Sequence, residues 1–269
     1  MFKTRLLSGV VLMVLAIITM CYGGMLLFGV TLLLSLIGLF ELYRATHLKD
    51  ASVTWLSYAV CIVFYCFLLQ KKLEVTLLIF IVAMMLFLAV YVITFPKYHI
   101  NQIALLLFSI LYIPFMFSYL YKLRMMDGGI YTIWLVFVGS WGSDTCAYCV
   151  GKLFGKHKLP SKLSPNKTIE GCVGGMAGAA LIGAIYAAVF SKELSMFWQP
   201  VLSFAVIGAV CSIFSQIGDL AASGIKRNYE IKDYGTLIPG HGGVLDRFDS
   251  VIFIAPVVYY LILYIAMAL

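Results

Sequence analysis

The sequence predicts an all-α integral membrane protein, a polytopic bundle of about nine transmembrane helices with short loops. Of its 269 residues, 63% are hydrophobic and only 12% are charged, and the mean hydropathy is +1.02. Soluble domains carry about 25% charged residues. The apolar residues are also gathered into runs close to the roughly 20 residues that span a bilayer. The stretches between these runs are too short to form a separate soluble domain.

Nine apolar runs define the predicted helices. We place them at residues 5–22, 25–43, 52–69, 73–95, 102–121, 130–150, 171–190, 201–219 and 250–269. The pair Gly23-Gly24 predicts a tight hairpin between the first two runs, and a re-entrant pair is the alternative there. The first run follows a basic start, as in a signal peptide, but no small-residue cleavage site follows it. We therefore expect it to remain as the first helix.

Lys and Arg are distributed unevenly between the two predicted faces. Fourteen of the 19 fall on the face that carries the N-terminus, and five fall on the other. Because cytoplasmic loops are enriched in Lys and Arg, we expect a cytoplasmic N-terminus and an outside C-terminus in the cell's inner membrane. Two long polar loops, 151–170 and 220–249, then share the cytoplasmic face. We divide the chain into an apolar N-terminal region, 1–125, and a catalytic C-terminal region, 126–269.

The net charge of +7 is typical of the same bias and of contact with anionic lipid. Nucleic acid is not an expected partner, because the chain has no long basic arm or patch. The seven Cys lie mostly in apolar runs and do not form a disulfide pattern. Cys146 and Cys149 have CxxC spacing, but no second pair or nearby His completes a zinc site, so we expect them to pack.

The first polar constellation occupies residues 140–171. Asp144 lies about four to six residues inside the end of its predicted span, roughly 6–9 Å deep. A carboxylate at that depth is expected to face a wet cavity, a metal or a cation, or to pair with a neighbouring Lys. Further on, the stretch SPNKTIEG, Ser164–Gly171, begins a span. It is either a helix N-terminus capped by Ser164 or Thr168, or a phosphate cradle around Lys167.

The second constellation occupies residues 218–250. Asp219 ends one predicted span, while Asp246 and Asp249 share a face at the start of the last span. Carboxylates gathered in this way can hold Mg²⁺ together with waters and phosphate oxygens. The cations that can neutralise phosphates are Lys226, Arg227, Lys232 and Arg247. The backbone can approach a ligand closely at Gly240, Gly242 and Gly243.

His241 has two equally supported interpretations, a general base or phosphate contact, and a stabiliser of its turn. The alternative for the whole constellation is a solvated, ion-paired loop. The chain has no Gly-rich phosphate loop ending in Gly-Lys-Ser/Thr, and no Ser-His-Asp or thiol nucleophile stands out. The residues therefore favour a metal-assisted reaction on phosphates, within reach of lipid, that works by positioning and charge neutralisation.

The stretch SGIKRNYEIKDYGTLIPGHGGVLDRFD, Ser223–Asp249, resembles the signature of the bacterial CDP-diacylglycerol synthases, also called phosphatidate cytidylyltransferases. The blocks WGSDTCAYCVGKLFGK, Trp141–Lys156, and SPNKTIEG are similar to that family too. The resemblance runs from about residue 140 to the C-terminus. The N-terminal half matches only as an apolar multi-span region.

The resemblance implies a reaction in which CTP and phosphatidic acid give CDP-diacylglycerol and pyrophosphate, with Mg²⁺ required. It also implies a homodimer in the lipid bilayer with a polar cavity open to the cytoplasm. On this basis the hypothetical metal set is Asp144, Asp219, Asp246 and Asp249. The hypothetical catalytic residues are Asp219, Asp246, Lys226, Arg227, His241 and Arg247. The substrate-binding set is Ser164, Asn166, Lys167, Ser223, Lys232, Asp233, Gly242 and Gly243.

Replacing Asp219 or Asp246 by Asn is expected to abolish turnover and leave the protein folded. Two other functions compete with this one. A CTP-dependent polyprenol or phytol kinase would transfer the γ-phosphate to an alcohol and release CDP. An ion-coupled transporter would use Asp144 and Asp219 as a relay, but its repeated halves are not visible here. The motif of the CDP-alcohol phosphatidyltransferases is absent.

Overall fold

The computed structural model describes residues 2–49, 51–70, 73–160, 163–195, 197 and 199–267, and it confirms the all-α polytopic membrane fold. Over these residues, regular structure is helical apart from two isolated β-bridges. Six of the described helices are long and apolar enough to cross a membrane: Gly24–Ala45, Glu74–Thr94, Ile100–Arg124, Ile169–Val189, Pro200–Asn228 and Leu245–Ile265. Residues 161 and 162 of the predicted loop 151–170 lie outside the described part.

The first four helices are α1 (Phe2–Tyr22), α2 (Gly24–Ala45), α3 (Thr54–Leu68) and α4 (Leu73–Thr94). The predicted hairpin between α1 and α2 is confirmed. Gly23 and Gly24 both have positive φ, 64° and 51°, a conformation that L side chains rarely adopt. Helix α1 has 21 residues and α2 has 22, and of these two described helices α2 is long and apolar enough to cross a membrane.

Two π-helical turns interrupt the middle of the chain. One, Leu111–Phe115, joins α5 (Ile100–Ile110) to α6 (Met116–Arg124) and contains Pro114, whose missing N–H disrupts the regular hydrogen-bond pattern. The short helices α7 (Gly129–Thr132) and α8 (Trp134–Phe137) lead to the other turn, Val138–Gly142, and to α9 (Ser143–Phe154). The second turn ends two residues before Asp144, and π-helical turns of this kind are frequent at functional sites.

The last three helices are α10 (Ile169–Val189), α11 (Pro200–Asn228) and α12 (Leu245–Met267). The predicted capping role of Thr168 is confirmed, since its hydroxyl accepts a hydrogen bond from Gly171 N at 3.1 Å. The predicted bounds of both polar loops are wrong. Helices α9 and α11 run past the predicted ends of their spans at 150 and 219, and α12 begins at Leu245. The two connections are therefore residues 155–168 and 229–244.

Contacts at the two ends of α1 show that the bundle has two distinct ends. Near the start of α1, the Ser8 hydroxyl lies 2.8 Å from His241 Nδ1. At its other end, the carbonyls of Met20 and Cys21 accept hydrogen bonds from the Arg124 side chain at 2.7 and 2.9 Å. We call these the site end, which carries both polar connections, and the far end.

The predicted N-terminal and C-terminal regions share one hydrophobic core, in which residues from α2, α5, α6, α11 and α12 are buried together. Helices α10 and α11 approach closely because glycines lie between them. A Cβ at Gly208 would come 2.5 Å from the Ala179 carbonyl oxygen, and one at Gly183 would come 2.6 Å from that of Phe204. This packing fixes α11, which carries Asp219, against the helix that follows the Lys167 loop.

Candidate active site

Asp246 anchors the connection 229–244. Its Oδ2 accepts hydrogen bonds from Tyr234 N at 2.8 Å and Gly243 N at 2.9 Å, while Lys226 Nζ lies 2.9 Å from Oδ1. The Asp246 side chain is only 1% exposed. Both carboxylate oxygens are thus engaged by this chain. To act as a metal ligand, its predicted role, Asp246 would have to share its oxygens with these contacts.

Glu41 on α2 supports the connection 229–244 from the opposite side, and it is not among the site residues predicted from the sequence. This residue is 2% exposed, and its two carboxylate oxygens accept the backbone N–H groups of Val244 and Leu245 at 3.0 and 2.9 Å. A carboxylate in this position satisfies unpaired donors at the N-terminus of α12 and complements the helix dipole. Its signal in the sequence is one acidic residue inside the apolar run 25–43.

Two glycines leave room for the Glu41 carboxylate. A Cβ at Gly235 would lie 2.3 Å from Glu41 Oε1, and a Cβ at Gly243 would lie 2.4 Å from the same atom. Any larger residue at either position would displace the carboxylate. The Gly-rich motif therefore serves the packing of the loop, and the N–H of Gly243 is already bonded to Asp246.

Tyr234 forms the third support of the loop. It is 2% exposed, and its hydroxyl donates to the Ala222 carbonyl at 3.0 Å. The backbone carbonyl of Tyr234 accepts a hydrogen bond from Arg44 Nη2 at 2.7 Å. Burial raises the pKa of the Tyr234 phenol above its ordinary value, which keeps the phenol protonated as a donor. The Lys226 ammonium lies 5.4 Å from the ring centroid, so the ring and Asp246 together position this cation.

His241 is tied to α1 and also faces a cavity. The Ser8 hydroxyl donates to the Pro239 carbonyl at 3.0 Å and lies 2.8 Å from His241 Nδ1. An N–H at Nδ1 would donate to the Ser8 oxygen in this contact, which does not involve Nε2. The turn-stabilising contact and a ligand-facing nitrogen are therefore compatible.

Two cavities lie side by side at the site end. The Lys167 cavity, of about 430 Å³, is lined by α9, α10, α11 and the connection 155–168, and its charged and amide- or hydroxyl-bearing residues are Asp144, Lys152, Asn166, Lys167, Thr168, Gln216 and Asp219. The His241 cavity, of about 410 Å³, is lined by α1 together with Trp141, Asp144, Asp219, His241, Asp246, Arg247 and Asp249. Asp144 and Asp219 line both cavities, so these two carboxylates form their common wall.

The common wall carries more negative than positive charge. Lys167 Nζ pairs with Asp219 Oδ2 at 2.5 Å. Asp144 and Asp249 both lie close enough to Asp219 for repulsion between the carboxylates. No Lys or Arg side chain of the described residues lies within 4.0 Å of Asp144 or Asp249. Lys167 thus lies beside two carboxylates of the common wall, an arrangement that attracts a further cation.

The donor set fits a divalent cation that is completed by substrate. Within the described ranges, no three His, Cys, Asp or Glu side chains are close enough to hold a metal by themselves. Mg²⁺, however, is held by one or two carboxylates together with waters and phosphate oxygens. Asp144 and Asp219 in the common wall, and Asp249 in the His241 cavity, could supply such carboxylates.

The structure brings eight of the predicted site residues to these cavities: Asp144, Asn166, Lys167, Asp219, His241, Asp246, Arg247 and Asp249. The others line neither cavity: Ser164, Ser223, Lys226, Arg227, Lys232, Asp233, Gly242 and Gly243. Of these, Arg227, Lys232 and Asp233 are exposed. The Ser164 carbonyl accepts from Lys167 N at 3.3 Å and forms the turn that presents Lys167.

Comparison with known proteins identifies the family to which the chain belongs. Residues 3–265 match the family described as the cytidylyltransferase family. A protein named phosphatidate cytidylyltransferase from Bacillus subtilis (strain 168) is 32% identical over 272 residues, which cover 97% of both chains. A protein of the same name from Staphylococcus saprophyticus is 33% identical, and the match covers 98% of this chain and 100% of that protein. Another from Staphylococcus aureus (strain COL) is also 33% identical, and the match covers 97% of this chain and 99% of that protein. These matches extend over the apolar N-terminal half as well as the motifs. The chain therefore belongs to the cytidylyltransferase family, a family of nucleotidyltransferases.

Proposed function

We propose that this chain is a phosphatidate cytidylyltransferase, which transfers CMP from CTP to phosphatidic acid and releases pyrophosphate. The observation that carries the proposal is a pair of cavities that share Asp144 and Asp219 in their linings. Two phosphate-bearing substrates could meet across such a wall. The names of the relatives supply the identity of both substrates.

The chemistry of the linings favours one placement of the substrates. Lys152, Asn166 and Lys167 offer cations and an amide to the triphosphate of CTP. The His241 cavity offers Arg247 to the phosphate of phosphatidic acid and the apolar side chains of Leu12 and Met13 to its acyl chains. In this placement the lipid enters from the membrane beside α1.

In the reaction, an oxygen of the phosphatidate phosphate attacks the α-phosphorus of CTP. The new P–O bond forms as the bond to the β-phosphate bridge breaks, and pyrophosphate leaves. Because the attacking group is already an anion at neutral pH, the chain's task is to align and neutralise two polyanions. Mg²⁺ held by Asp144, Asp219 and Asp249 would act as a Lewis acid on the phosphate oxygens.

The proposal also concerns the setting of the enzyme. The site end would face the cytoplasm, where CTP is found, in the cell's inner membrane with the N-terminus inside. This orientation follows from the distribution of Lys and Arg in the sequence. A homodimer is expected from the family resemblance.

The first test is a product assay on the purified protein in detergent with CTP, Mg²⁺ and phosphatidic acid. We expect CDP-diacylglycerol and pyrophosphate in equal amounts, and no product with EDTA or without phosphatidic acid. Lys167→Ala should reduce turnover at least tenfold, because a charge-assisted phosphate contact is lost. Lys192→Ala, at an exposed position, is the matched control. CDP formed from CTP and a prenol or phytol would instead identify a lipid kinase.

A further inference from the structure

A third cavity lies at the far end, away from the proposed active site. Its volume is about 330 Å³, and it lies among the ends of α3, α6 and α12 and the start of α4. Among the described residues, its lining includes Lys122 and several tyrosines and methionines but no Asp or Glu. It therefore differs from the Lys167 and His241 cavities, which share a wall of carboxylates.

Lys122 supplies the charge of this far-end cavity. Its ammonium lies 4.4 Å from the ring centroid of Tyr119 and 5.5 Å from that of Phe115. Aromatic rings attract a cation but leave its charge in place. No carboxylate in the described parts of the chain lies within 4.0 Å of this half-buried ammonium. An anion in the cavity would therefore be stabilised.

The tyrosines supply hydrogen-bond donors. The hydroxyls of Tyr119 and Tyr260 lie 2.9 Å apart. One proton is enough for the bond between them, so the proton of the other hydroxyl is available to a ligand. Tyr121 also lines the cavity, while Met125 and Met126 add adaptable apolar surface. A cation, a phenol donor and apolar surface together match a lipid phosphate with its attached glycerol.

We propose that the far-end cavity binds the headgroup of an anionic phospholipid, taken from the leaflet opposite the proposed active site. The Lys122 ammonium contacts the phosphate, and the Tyr119–Tyr260 pair donates to a phosphate oxygen. The volume of about 330 Å³ accommodates a phosphate and glycerol unit, with the acyl chains left in the membrane. This binding site is separate from the cytidylyl-transfer reaction and can be tested without turnover.

The test is a titration of the purified full-length protein in neutral detergent with phosphatidylglycerol, followed by native mass spectrometry. We expect Lys122→Gln to weaken binding of the first lipid about tenfold, because charge-assisted contacts to phosphate are strong. Lys122→Arg should retain binding. Lys192→Gln is the matched control, since this exposed lysine lies in the α10–α11 connection, outside the cavity, and loses the same charge. Equal binding by Lys122→Gln and the wild type would overturn the proposal.

Two further measurements keep the proposal testable if Lys122→Gln does not fold. Tyr260→Phe removes one hydroxyl from a side chain that is 41% exposed, and we expect it to weaken binding about threefold. Phosphatidylcholine, which has no net charge, should bind more weakly than phosphatidylglycerol, and equal binding would contradict the charge argument. Displacement of the lipid by an equal concentration of inorganic phosphate would reveal a small-anion site and overturn the assignment to lipid.

Discussion

At the scale of single residues, Asp219 and Asp246 are each paired with a lysine but lie in different surroundings. The Asp219 side chain is 32% exposed and lines both cavities, whereas that of Asp246 is 1% exposed and holds the loop. We therefore expect Asp219→Asn to lose turnover at least 100-fold without a change in thermal stability. Asp246→Asn should lose turnover and also about 3–5 kcal/mol of stability, because it breaks a buried pair.

This expectation revises the prediction from the sequence, in which both variants stayed folded. Melting of both variants in detergent, monitored beside the product assay, tests the difference. Asp127→Asn, at an exposed position of the far end, is the control for a lost charge. A wild-type melting temperature for Asp246→Asn would show that the loop does not depend on this carboxylate.

Glu41 gives a second prediction at this scale. In Glu41→Gln, one of the two carboxylate acceptors becomes an amide donor that faces the backbone N–H of Val244 or Leu245. We expect a loss of about 1–3 kcal/mol in stability, since a buried donor is left unsatisfied. The exposed Glu193→Gln is the control. Unchanged melting and unchanged kcat in Glu41→Gln would contradict a supporting role for this residue.

At the scale of elements, the contact between α10 and α11 is tested by two Gly-to-Ala changes. Gly208→Ala should destabilise the protein by about 1–3 kcal/mol, because its methyl group meets the Ala179 carbonyl. Gly29→Ala on α2 has nothing within 4 Å of the added methyl group. It should be neutral or slightly stabilising, since Ala favours a helix over Gly. Thermal inactivation in detergent measures both, and equal stability of the two variants would contradict the packing.

The sequence predicts where the helices lie better than it predicts where they end. Six of the nine predicted runs match described helices that are long and apolar enough to span a membrane, because hydrophobic length is a strong signal. The predicted run 130–150 is instead divided into α7, α8, a π-helical turn and α9. The ends of α9 and α11 are missed because both helices continue as polar turns, such as Lys226 and Arg227, after the apolar residues stop. Cations in a last turn are favourable to a helix, but hydropathy does not report them. The two π-helical turns also leave no clear hydropathy signal.

At the scale of the whole molecule, the prediction to test is that the site end faces the cytoplasm and the far end faces the outside of the cell. Cysteines introduced at the exposed Lys158 and Lys192 would mark the two proposed faces, in a background where the exposed Cys21, Cys66 and Cys149 are serines. In intact cells we expect a membrane-impermeant maleimide to label only Lys192→Cys. Lys158→Cys should react after permeabilisation. The reverse pattern would place the site end outside the cell.

The site itself is only partly visible in the sequence. The motif residues Asp144, Lys167 and Asp219 are recognisable because charged groups at membrane depth are unusual. Ser8, Glu41 and Arg44 were missed because their partners lie about 200 positions away along the chain. No local spacing rule connects residues so distant. Only the packing of α1 and α2 against the loop shows that the N-terminal half takes part in the site.

These long-range contacts also set an order of events during synthesis. Ser8 and Glu41 are made early, but the backbone groups that they hold, at positions 239 and 244–245, are among the last to be made. Until then the Glu41 carboxylate has no partner at the start of α12. A nascent chain that stops after α11 would keep most of its membrane spans yet carry an unsatisfied acid within them. We expect such a chain to be less stable than the full-length protein and therefore to be degraded by the proteases that act on newly inserted membrane proteins.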